Sequence, residues 1–132
     1  LWDLCTRLAV GTYPIVLGGS GNEIRDWTEV HDVVRALDLL ASMASEEVTI
    51  VNVGTGQGRS VQQVAANIVS HWPKQSQVEA LQFSGQSRPG DPFSLVANGT
   101  FLKELGFAWM TPIDKGVASY VRWFHLIRGA TP

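Results

Sequence analysis

The sequence predicts a single small mixed α/β unit. Amphipathic stripes of helical period alternate with short β-branched runs along the whole chain. Turns marked by glycine or proline separate them, and no repeat, low-complexity tract or long linker divides the 132 residues. A chain of this length fills one domain and can bury a core without disulfides or a structural metal.

Leu1, Leu4, Cys5 and Leu8 fall at i, i+3, i+4 and i+7, with Asp3 and Arg7 opposite, so the chain opens on the body of an amphipathic helix. A start there, without methionine, leads to the expectation of a piece of something longer. Pro14, Ile15, Val16 and Leu17 form a short strand candidate running into Gly18-Gly19-Ser20-Gly21-Asn22, residues that tolerate positive φ. Residues 24–30 alternate well enough for a second strand, and the glycine-rich turn predicts that the two pair as a hairpin. Asp32 stands where an N-cap belongs, ahead of a helical face of Val33, Ala36, Leu37, Leu40 and Ala44.

The apolar run at 48–53 reads as a strand buried on both faces. After Gly54-Thr55-Gly56-Gln57-Gly58, Ser60 and Gln63 have capping-box spacing and start a helix with the stripe Val61, Val64, Ala65, Ile68, Val69 and Trp72, stopped by Pro73. Residues 78–83 are a further strand candidate, followed by a polar irregular stretch that holds Arg88-Pro89-Gly90-Asp91. Leu95, Val96 and Ala97 are extended. Asn98 can cap a brief helix carrying Phe101, Leu102 and Leu105 and closed by Gly106. Thr111-Pro112-Ile113-Asp114 supplies a cap, a first-turn proline and an acid for the last helix, whose buried face would be Ile113, Val117, Tyr120, Val121 and Phe124. The expected organisation is one domain over residues 1–128 and a loose tail over 129–132.

Composition narrows the function. A net charge of -2 gives no electrostatic ground for nucleic acid or an anionic membrane as partner. Cys5 is the only cysteine, so an internal disulfide and a cysteine-based zinc site are both excluded, and a reducing cytoplasm is the expected location. No apolar run approaches the roughly 20 residues of a membrane span, and the first ten residues have no basic lead or cleavage pattern.

Four motifs invite chemistry. Gly54-Thr55-Gly56-Gln57-Gly58 follows a strand and opens a helix, as a dinucleotide-binding turn does, but Arg59 occupies the place of the third glycine. A tight strand-to-helix turn is the better reading. His31-Asp32 is not a natural dyad, because neighbours on a strand point to opposite faces. His71 and His125 are scattered on helices with no carboxylate at ligand spacing, so neither a metal site nor a catalytic triad is expected. Arg25-Asp26-Trp27 and Arg88-Pro89-Gly90-Asp91 put two arginines on separate segments. Two planar guanidinium forks that converged would suit a diphosphate, an acid nearby could accept from ribose hydroxyls, and Trp27 could line a pocket. Taken alone, the same residues read more readily as surface arginines in ion pairs.

The order of these segments resembles the second half of the extended short-chain dehydrogenase/reductases, specifically the nucleotide-sugar epimerases and dehydratases of the NAD-dependent epimerase/dehydratase family. The resemblance runs from Gly18-Gly19-Ser20-Gly21 through Arg25-Asp26-Trp27, Val30-His31-Asp32-Val33-Val34-Arg35-Ala36, Asn52-Val53-Gly54-Thr55-Gly56, Arg88-Pro89-Gly90-Asp91 and Leu105-Gly106-Phe107 to Thr111-Pro112-Ile113, Tyr120 and Trp123-Phe124. It implies a substrate-binding carboxy-terminal α/β domain, a fragment lacking the amino-terminal Rossmann domain. It also implies that Arg25 and Arg88 bind the diphosphate of a nucleoside diphosphate sugar, that Asp91 reaches the ribose, and that Trp27 flanks the nucleotide. The family's Tyr-x-x-x-Lys is missing, since Tyr13 is followed four residues on by Leu17 and Tyr120 by Phe124. So is its glycine fingerprint, and Asn98 replaces a common acid. No catalytic residue and no bound cofactor is therefore expected here, and NAD or NADP is implied for the full-length enzyme. The missing Rossmann region and a second copy in a homodimer are the protein partners to be considered. A non-catalytic protein- or nucleotide-binding module derived from the family is the alternative.

Overall fold

The computed structural model describes residues 1–46, 50–73, 81–86 and 89–129. Helix α1 (Trp2–Val10) ends at Gly11, whose φ of 76° lets its N–H turn back to the Arg7 carbonyl. The chain then forms β1 (Ile15–Leu17), β2 (Ile24–Asp26), α2 (Val30–Ala41), β3 (Gly58–Ser60), α3 (Val61–Ser70), β4 (Leu81–Phe83), β5 (Ser94–Leu95), α4 (Thr100–Glu104) and α5 (Ile113–Gly129). The expected small mixed α/β unit is what forms.

The strands make two sheets. β1 pairs with β4 in parallel, while β2 lies at the centre of the other sheet, antiparallel to β3 and parallel to β5. The hairpin expected between β1 and β2 does not exist. The glycine-rich turn carries the chain from one sheet to the other, because Glu23 folds back over it. Its carboxylate accepts from the N–H groups of Ser20 (2.7 Å) and Gly21 (2.9 Å) and from the Ser20 hydroxyl. Those bonds use donors that a hairpin ladder would need. Gly19 and Gly21 adopt φ of 87° and 82°, and a side chain at Gly19 would strike the Glu23 carboxylate.

α1, α3 and α5 pack around β1 to make the core. Phe124 and Ile68 are fully buried, as are the Cys5, Val69 and Val117 side chains of the same cluster. Each large apolar side chain buried this way contributes about 2–3 kcal/mol against exposure. The predicted stripe on α3 is the buried one, and its capping box forms in both directions: Gln63 N–H donates to Ser60 Oγ at 3.1 Å, and Ser60 N–H donates to Gln63 Oε1 at 2.9 Å. On α5, Val117, Val121 and Phe124 are buried and Ile113 and Tyr120 pack against them as expected.

Several boundaries differ from expectation. β2 stops at Asp26, and α2 is capped not by Asp32 but by Glu29, whose carboxylate accepts from the N–H groups of His31 and Asp32. Residues 50–53 form no strand; Ile50 is 89% exposed, because no neighbouring strand among the described residues offers it a ladder or a cover. Residues 48–49 and 78–80 of the two strand candidates lie outside the described residues, as do residues 130–132 of the tail. Leu37 is exposed and Ala44 lies beyond α2, so the predicted stripe there is only partly the buried face. Gly99, not Asn98, is the N-cap of α4, although Asn98 Oδ1 does accept the Thr100 N–H at 3.0 Å.

Candidate functional site

Arg25 and Asp91 meet in an ion pair, the arrangement that the sequence taken alone favoured for its surface arginines. β2 and β5 run in parallel with Ile24 opposite Ser94 and Arg25 opposite Leu95, which brings the loop ahead of β5 under the Arg25 side chain. Arg25 Nη2 donates to Asp91 Oδ1 at 3.0 Å, and Nη1 donates to the carbonyls of Ile24 (2.8 Å) and Phe93 (3.3 Å). Those three bonds fix the guanidinium and leave its Nε–H and one Nη2–H for an incoming acceptor. The Arg25 side chain is about three-quarters covered while that of Asp91 is half exposed, so the pair lies at the surface. Arg88, its expected companion, lies outside the described residues.

A second cation stands beside Arg25. Arg59, which seemed in the sequence only to spoil a glycine fingerprint, is the direct cross-strand partner of Arg25 on β3. Partners directly opposite project from the same sheet face, and like charges there repel unless an anion lies between them. The signal was absent from the sequence because register between β2 and β3 is set by pairing across more than thirty positions. Trp27 donates its indole N–H to the Arg59 carbonyl at 3.3 Å, tying the end of β2 to β3.

The second glycine turn is also filled by a carboxylate of the chain itself. Asp26 accepts from the N–H of Thr55 (3.0 Å), the Thr55 hydroxyl (2.5 Å), and the N–H groups of Gly56 (2.8 Å) and Ala97 (3.3 Å). A cofactor pyrophosphate at this turn would need those amides. The turn therefore does not fit a dinucleotide, and its role is to lock the loop before β3 onto β2.

Asp32 is the corresponding clamp at the start of α2. It is 2% exposed and accepts from the N–H of Thr111 (2.9 Å), the N–H of Met110 and the Arg35 guanidinium (2.7 Å). Burial alone would push its carboxyl up, but the Thr111, Arg35 and Met110 donors outweigh burial and hold it below its ordinary value. The His31 partner is Glu29, with His31 Nδ1 2.8 Å from Glu29 Oε1. Burial would raise the Glu29 carboxyl as well, and the bonds from His31 and Asp32 lower it. His71 and His125 join no group of metal-ligand type among the described residues.

Trp27 lines an apolar cavity of about 660 Å³ with Val64, Val117, Tyr120 and Trp123, which neither Arg25 nor Asp91 borders. Among the described residues no helix is long and apolar enough to cross a membrane.

The model of the NAD dependent epimerase/dehydratase family matches residues 3–54. Among solved structures, the chain is similar to UDP-glucose 4-epimerase from Thermotoga maritima, determined with UDP-glucose: TM-score 0.80 and 24% identity over 96% of this chain and 39% of that one. It is similar to MoeE5 in complex with UDP-glucuronic acid and NAD, at TM-score 0.76 and 30% identity over 95% of this chain and 40% of that one. The UDP-glucose 4-epimerase of Thermus thermophilus, complexed with NAD, gives TM-score 0.74 and 27% identity over 98% and 40%. The chain spans about 40% of the length of these structures.

Proposed function

We propose, from the family model that matches residues 3–54 and from the solved structures the chain resembles, that this chain is the nucleotide-sugar-binding portion of an NAD(P)-dependent nucleotide-sugar epimerase or dehydratase. The observation that carries the reading is the Arg25–Asp91 pair, with Arg59 in register across the sheet. Three charged groups from three segments make an anion site with a hydrogen-bond acceptor at its edge. In this reading the free donors of Arg25, together with Arg88 and Arg59, hold the diphosphate. Asp91 accepts from the ribose, and Trp27 steadies the strand pair beneath them.

Such a portion works by positioning. Binding energy gained at the remote nucleotide orients the sugar ring toward the reacting groups. Those groups are not supplied here, since neither Tyr13 nor Tyr120 has a lysine four residues on. The NAD(P)-carrying region would be a separate partner surface. Val30, Val34 and Leu37, each more than half exposed along α2, are the apolar surface it would cover. Action in the cytoplasm accords with that cofactor and with a single reduced cysteine.

Calorimetric titration of the chain with UDP, GDP, CDP and dTDP, beside its Arg25→Ala and Arg88→Ala forms, tests the proposal. One nucleotide whose binding both substitutions weaken is the expected result. Nucleotide affinity unchanged in both folded variants would remove the assignment. Sedimentation over a range of concentrations separates the two candidates for the α2 face: self-association would give it to a second copy.

A further inference from the structure

Two cavities meet along α5, and neither is bordered by Arg25 or Asp91. The first, of about 660 Å³, has an apolar interior of Trp27, Val64, Val117, Tyr120 and Trp123. The second, of about 490 Å³, adds Lys115 and Arg122. Glu29, His31, Thr111 and Ser119 line both, so the two adjoin along these residues. Lys115, Ser119 and Arg122 follow at i, i+4 and i+7 and share one helix face.

The charge lining the second cavity is unbalanced. Among the described residues Glu29 is the only acid lining either cavity, and its carboxylate is already engaged by the His31 and Asp32 N–H groups and the His31 ring. Among the described residues Lys115 and Arg122 take part in no ion pair. An apolar cavity within the usual size range of small-molecule sites thus adjoins two cations that take part in no ion pair among the described residues and the Ser119 hydroxyl.

We propose that these adjoining cavities bind a small amphipathic anion: an aromatic or aliphatic body ended by a carboxylate or phosphate. The body lies against Trp27, Tyr120 and Trp123. The head is held by Lys115 and Arg122, with the Ser119 hydroxyl as a further donor. Charge-assisted hydrogen bonds of this kind favour the anion over a neutral body of the same shape. This site is independent of the diphosphate site, since no residue that binds there contributes its charged group here.

The test compares 4-phenylbutyrate with its uncharged amide, 4-phenylbutanamide, by calorimetry and by the nuclear magnetic resonance shifts of the Trp27 and Trp123 indole N–H groups. The carboxylate is expected to bind about tenfold or more tighter than the amide, and both indoles to shift. The Lys115→Ala/Arg122→Ala double variant, on exposed positions, should abolish that preference and leave the amide's affinity unchanged. Arg25→Ala should alter neither, which separates this site from the nucleotide reading. Equal affinity for the two probes, a preference that survives the double variant, or a carboxylate that binds without shifting Trp123 would each overturn the proposal. Trp123→Ala removes part of the apolar wall and should weaken both probes. Should that variant fail to fold, Ser119→Leu fills the shared wall instead and is expected to have the same effect.

Discussion

Arg59 stands directly opposite Arg25 across the antiparallel ladder between β2 and β3. Two cations in that relationship oppose the pairing that holds the strands together. Asp91 compensates one of them at 3.0 Å and leaves the other without an ion-pair partner among the described residues. In the proposed reading, an anion held between the two would relieve that repulsion.

The first expectation follows from that repulsion. Arg59→Gln should leave thermal stability unchanged or raise it by roughly a few tenths of a kcal/mol, because the cross-strand repulsion goes. The same change should weaken binding of the favoured nucleoside diphosphate by about tenfold, as one charge-assisted bond is lost. Melting curves and calorimetric titrations on the same samples read both. A variant that melts lower and binds as before would make Arg59 a structural residue only.

Asp26 joins β2 to the Gly54–Gly58 turn, so its replacement should loosen that turn and not the core. Asp26→Asn turns an amide NH2 toward groups that themselves donate, at a cost of about 2–3 kcal/mol. Hydrogen exchange should accelerate at the Thr55 and Gly56 amides while α3 remains protected. Gly54→Ala should act on the same contact, since an added Cβ would lie 2.3 Å from the Ala97 Cβ and 2.7 Å from Asp26 Oδ2. A cost on the order of 2 kcal/mol is expected from that overlap. Because both changes strain one joint, their combination should cost less than the sum.

Local chemistry was legible in the sequence where a few neighbouring residues decide it. The Ser60–Gln63 box, the α3 stripe and the buried face of α5 each depend on spacing within a turn or two, and each forms as read. What failed was decided by distant partners. Residues 24–30 looked like one strand until Glu29 capped α2, and the β1–β2 hairpin was lost to pairings with β4, β3 and β5. Asp32 read as a cap because its position suits one, whereas its acceptors serve Met110 and Thr111, nearly eighty residues on. An apolar run such as 50–53 predicts burial only where the chain brings something to bury it against.

The capping box gives a clean local test. Ser60→Ala removes the acceptor of the Gln63 N–H and should cost about 1 kcal/mol. Gln63→Ala should cost less, since the Ser60 N–H that it frees can turn to water. A double-mutant cycle by urea denaturation should find the two coupled, because each side chain holds the other's backbone. Strict additivity would mean that the reciprocal bonds do not form together in solution.

Asp32 is one of the carboxyls that bear on the acid stability of the fold, with Glu29 and Glu23. Its native carboxyl lies below its ordinary value because the Thr111, Arg35 and Met110 donors outweigh the burial that would raise it. The unfolded chain therefore takes up that proton more readily than the folded one. The stability contributed by the group is complete above the ordinary carboxylate value and is lost as pH falls through the depressed native value. Glu29 is lowered too and adds in the same direction, so the wild-type chain alone cannot separate them. Asp32→Asn can. At pH 7 it should lower stability by about 3 kcal/mol, since Arg35 and two backbone N–H groups lose a charged acceptor in a buried place. Toward about pH 3 and below, the gap between wild type and variant should narrow as the wild-type carboxyl protonates. Urea midpoints measured at about pH 7, 5 and 3 give the comparison. A gap that stays constant over that range would mean that the clamp holds Met110 and Thr111 by shape and not by the charge of the carboxylate.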